Sequence, residues 1–71
     1  MAMIEGKIKV PMLGASSVTM TVKDVPVDVI LVDTDDTFGP HIILQTPTMY
    51  IHLCMSREEL VNVAAWINSN A

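Results

Sequence analysis

Along the amino-terminal half, apolar and polar residues alternate with a period of two, the pattern of strands with one face in a core. From Ile4 to Met12 one side carries Ile4, Gly6, Ile8, Val10 and Met12, and the other carries Glu5, Lys7 and Lys9. The next run places Val18, Met20 and Val22 opposite Thr19, Thr21 and Lys23. Between them, Pro11–Ser17 (PMLGASS) has the Pro, Gly and Ser of a hairpin loop, and Asp24-Val25-Pro26 predicts the following turn. Val27–Val32 is apolar on both faces except at Asp28, which predicts a strand at the centre of the sheet.

His41–Gln45 and Met49–Met55 are two further β-rich runs, separated by Thr46-Pro47-Thr48 as a tight turn or a bulge. In the last run Met49, Ile51, Leu53 and Met55 share one face, while Tyr50, His52 and Cys54 share the other. Ser56-Arg57-Glu58-Glu59 matches a capping box, with two acids at the positive end of a helix dipole. The helix is expected over about 57–68, with Leu60, Ala64 and Ile67 able to face a sheet. Seven of the eight residues in LVNVAAWI are apolar, far more than the roughly 100° stripe that one sheet can cover.

The prediction is therefore an α+β fold in one domain, residues 1–71. Four or five antiparallel strands (about 4–12, 17–23, 27–32, 41–45 and 49–55) precede one carboxy-terminal helix packed on the sheet. Met12, Met20, Met49 and Met55 fall on faces assigned to the core.

Composition then limits the possibilities. Seventy-one residues bury only about 60% of their unfolded surface. A single cysteine, Cys54, permits no intrachain disulfide, and no Cys/His cluster has zinc spacing. A 51% hydrophobic chain without those supports is expected to associate with itself, as a homodimer or higher oligomer, through the helix or a sheet edge. Val61, Ala65 and Trp66 are the expected interface residues, with Trp66 the anchor. A net charge of −4 argues against a nucleic-acid partner, which requires a basic stripe. Neither a signal peptide nor an apolar run of membrane-spanning length is apparent. With no membrane partner expected and one unpaired cysteine, the expected location is the cytoplasm.

The densest chemical feature is Asp33-Thr34-Asp35-Asp36-Thr37-Phe38-Gly39. Counted as a calcium loop from Asp33 it lacks the sixth-position glycine and the twelfth-position glutamate. Asp33-x-Asp35 as a metal–nucleotide motif has no nucleotide-binding pattern around it. Val27–Thr37 (VDVILVDTDDT) resembles the strand and D-T-G turn of retroviral-type aspartic proteases, which implies a dimeric hydrolase using Asp33. Asp35 stands where that family has glycine, placing another charge beside a dyad that must share one proton. The segment is expected to be a solvated turn, its Asp, Thr, Gly and Pro residues bonding local backbone.

Elsewhere, His52 and Cys54 sit two apart on one strand, as neighbours in a row and not as a converging nucleophile and base. With the first hairpin centred near Gly14, Lys7 would face Thr21, Lys9 would face Thr19 and Glu5 would face Lys23. That arrangement makes Lys7, Lys9, Thr19 and Thr21, with Ser16 and Ser17 of the GASS segment, a candidate contact for a phosphate-bearing ligand. Tyr50 and His52 are a second candidate. The expected function is non-enzymatic and needs no cofactor or metal: stoichiometric binding of a host protein, or sequestration of a small signalling ligand such as a nucleotide. In size and style the chain resembles the small accessory proteins of phages and mobile elements, a resemblance that implies an inhibitor-like role.

Overall fold

The computed structural model describes residues 2–9, 14–33 and 39–70. Five strands, β1 (Ala2–Glu5), β2 (Gly14–Val22), β3 (Val25–Asp33), β4 (His41–Gln45) and β5 (Tyr50–Cys54), precede one helix, α1 (Arg57–Ser69). The strands form an antiparallel meander in the order β1-β2-β3-β4-β5, with the helix packed against it. The expected α+β architecture is the one observed, and β3, apolar on both faces, is the central strand.

Core packing follows the alternation. On the helix side, Ile4, Val18, Val29, Leu31 and Ile42 are buried against Leu60, Ala64 and Ile67, with Ile8 beside them. The helix turns inward the three residues its spacing allows; Val61 and Val63 are half-buried on its flanks, and Ala65 and Trp66 face outward. Its capping box is complete. The Glu59 N–H donates to Ser56 Oγ at 3.2 Å, and the Ser56 N–H donates to Glu59 Oε1 at 3.3 Å.

The first strand is much shorter than the period-two pattern predicts. β1 ends at Glu5 because Gly6 adopts φ +97°, a left-handed conformation that ordinary side chains avoid. Past this bend, Ile8 is carried into the core. Its N–H donates to Asn68 Oδ1 at 2.7 Å, and Asn68 Nδ2 donates back to the Ile8 carbonyl. The helix end and the chain after β1 are thereby tied together. The remainder of the predicted strand, residues 10–12 including Met12, lies outside the described residues.

Two turns differ in detail. Lys23 and Asp24, both at positive φ, make the two-residue β2–β3 hairpin, so Val25 and Pro26 belong to β3. The closing pair Val22↔Val25 is hydrogen-bonded in such a hairpin, which turns the Pro26 nitrogen away from β2. On that side β4 pairs only from Asp28 onward, and the missing N–H of Pro26 breaks no ladder bond. At Thr46–Met49 the chain makes a tight turn closed by Thr46 N–H donating to the Met49 carbonyl at 2.8 Å. Met49 is 58% exposed and not part of the core, whereas Met20 and Met55 pack partly buried against it.

Candidate functional site

The antiparallel register sorts the side chains onto two sheet faces, because directly paired residues project to the same side. Val32, His41 and Cys54 form one row, Ile30, Ile43 and His52 the next, and Asp28, Gln45 and Tyr50 a third, all on the face opposite the helix. Ser17, Thr19 and Thr21 share that face. Ser16 pairs with Leu31 and points to the helix side instead.

The register also corrects the expected first hairpin. Met3, not Lys7, faces Thr21, and Glu5, not Lys9, faces Thr19. The reason is the bend at Gly6, which removes Lys7 and Lys9 from the ladder and leaves them exposed beyond it. Glu5, Thr19 and Asp28 instead form a cross-strand row, with Thr19 Oγ1 donating to Asp28 Oδ1 at 3.3 Å. Because β1 stops there, Ser17 has no β1 neighbour. A cleft of about 540 Å³ opens over Glu5, Gly6, Ser17, Thr19, Asp28 and Ile30. Its two carboxylates disfavour an anion. Tyr50 and His52 lie three strands from β2, about 14 Å at normal strand spacing, and do not join the Ser17/Thr19/Thr21 group.

Asp33, expected in a solvated turn, ends β3 on the helix side and is buried. Arg57 Nε lies 3.3 Å from its Oδ2. The contact is ionic, and among the described residues that oxygen accepts no hydrogen bond. Register explains the burial: Asp33 follows Val29 and Leu31 at strand spacing, so its side chain emerges on the core side, where the first helical turn supplies a cation. Asp35 and Asp36 lie outside the described residues.

On the opposite face, His41 is buried and makes a 2.9 Å Nδ1 contact to the Gly39 carbonyl oxygen. Its ring centroid is 4.5 Å from that of His52. Sequence order gave no sign of this pair, since β4–β5 register alone brings them together. Among the described residues no three His, Cys, Asp or Glu groups are arranged to hold a metal ion.

The most extensive feature is β5 itself. Every residue from Tyr50 to Cys54 is exposed, with Tyr50 at 61%, Leu53 at 48% and Ile51 at 39%. Trp66 is 56% exposed and lies about 160° around the helix from Asn68 at 100° per residue. Apolar surface of this kind marks an interaction site more often than a lone exposed side chain does. No helix among the described residues is long and apolar enough to cross a membrane. Comparison of the chain with protein-family models, curated proteins and solved structures finds no match.

Proposed function

We propose that this chain is a non-enzymatic, homo-oligomeric binding protein that acts by stoichiometric engagement of another protein. The observation carrying this reading is the exposure of β5 along its whole length. Such a strand presents backbone hydrogen-bonding groups and apolar side chains together, the combination used in strand-addition recognition. Trp66 supplies a second exposed anchor on the helix, with Val61 and Ala65 on other sides of it. A host protein is favoured over a phosphate-bearing ligand by two placements. Lys7 and Lys9 stand clear of Thr19 and Thr21, and the cleft beside those threonines is lined by Glu5 and Asp28.

Native mass spectrometry of the protein, purified gently from cells containing its natural partner, tests the reading. The expected result is a multiple of the 7.8 kDa chain mass plus a second polypeptide in fixed ratio. A folded species of one chain mass with nothing bound, at micromolar concentration, would end the proposal.

A further inference from the structure

We infer that two copies join through β5 in an antiparallel, two-fold pairing centred on His52, making one continuous ten-stranded sheet. The inference rests on the homo-oligomeric reading and names its surface; with β5 taken by the second copy, exposed Trp66 on the helix is what remains for the other protein. Hydrogen bonds from Thr46 N–H to the Met49 carbonyl and from Met55 N–H to the Pro40 carbonyl set the phase of the β4–β5 ladder. Alternate residues of an antiparallel strand direct their backbone groups to opposite sides. Met49, Ile51, Leu53 and Met55 therefore bond toward β4, while Tyr50, His52 and Cys54 direct their N–H and C=O groups to the outer edge.

A two-fold axis at His52 brings Tyr50 of each copy opposite Cys54 of the other, each such pair exchanging both backbone bonds. Ile51 then lies beside Leu53 of the second copy on the helix side, closing the apolar surface that is open in one chain. A register shifted by two residues would leave one of these outward-directed groups beyond the end of its partner strand.

Charge selects a second copy as the occupant. The chain carries −4 overall, so copies repel across most approaches, yet Thr37–Ser56 contains no Asp, Glu, Lys or Arg. Self-pairing at β5 thus sets no like charges opposite one another among Asp, Glu, Lys and Arg. Nor does β5 carry the lysine, proline or charged side chain by which solvent-facing edges are commonly protected.

Sedimentation equilibrium and a cross-link test the pairing together. Tyr50→Pro removes an outward N–H and no bond to β4, so it should leave circular dichroism unchanged and yield a monomer. Trp66→Glu should remain dimeric. Tyr50→Cys should give a disulfide-linked dimer under mild oxidation, because hydrogen-bonded pairs sit about 5.5 Å apart between Cα atoms, within disulfide reach. In that variant the introduced thiol and Cys54 of the same copy would be about 13 Å apart along the strand, beyond bridging, and the unmodified chain should not cross-link. If Tyr50→Pro unfolds, the cross-link decides. An oligomer that fails to cross-link and is dissociated by Trp66→Glu overturns the β5 pairing and leaves the homo-oligomeric reading standing. A folded monomeric parent overturns both.

Discussion

The two edges of the sheet are built in opposite ways. β1 is four residues long, is ended by a left-handed glycine, and is followed by exposed Lys7 and Lys9. Its continuation folds in to place Ile8 in the core and to bond Asn68 across the molecule. β5, by contrast, is exposed at every position and carries no Asp, Glu, Lys or Arg. A bend, charge and a long-range tie close the first edge, while nothing among the described residues covers the second. The contrast teaches that a chain this small can close one sheet edge within itself, at β1, and leave the other, at β5, for the pairing proposed above.

Large effects should cluster on the closed side. Leu60 is fully buried on the inward face of the helix, and Leu60→Ala is expected to cost about 2–5 kcal/mol. A domain of this size has only about 5 kcal/mol in total, so the variant should retain about 0–3 kcal/mol and its urea midpoint should fall by about 40% or more. A variant that stays folded, with its urea midpoint unchanged, would mean the helix is not what completes the core.

Asn68→Ala should come next, at about 1–3 kcal/mol, by stranding the part-buried backbone groups of Ile8. Hydrogen exchange gives the sharper readout. The Ile8 amide should lose its protection while amides of β3 keep theirs. Equal protection in both forms would show that the Asn68 tie does not close that edge.

Leu53→Ala should have the smallest intrinsic effect, under about 1 kcal/mol, because the side chain is half-exposed in a single chain. Its effect should lie in concentration dependence. The urea midpoint of the parent should rise with protein concentration, as expected when association stabilises the folded state, and Leu53→Ala should flatten that rise. A parent midpoint independent of concentration would remove the contrast between the edges.

Several features were readable from local pattern because their causes are local. The capping box needs only residues three apart, and Ser56 and Glu59 form it as expected. Helical spacing alone selects Leu60, Ala64 and Ile67 as the inward stripe. Apolar residues on both faces of β3 mark it as the central strand, and the strand order puts it there. The candidate site was less legible. Tyr50 and His52, candidate ligand contacts, and Trp66, the expected interface anchor, are exposed in the single chain, whereas the Lys7/Lys9/Thr19/Thr21 patch depended on a register that the bend at Gly6 displaces. Asp33 was grouped with its acidic neighbours by composition, while its strand phase turns it inward to Arg57.

By itself, then, the sequence determined the element types, their antiparallel order and the inward face of the helix. These follow from period, turn chemistry and caps, all of which act over a few residues. Tertiary structure alone decided that Gly6 bends the chain so that Ile8 meets Asn68, sixty positions away. It also decided that Asp33 meets Arg57, and that His41 lies beside His52. Alternation continues unbroken through Gly6 and cannot show the bend. An apolar strand face such as Ile51 and Leu53 has the same pattern whether a helix covers it or solvent does, and only the placement of α1 leaves this one open.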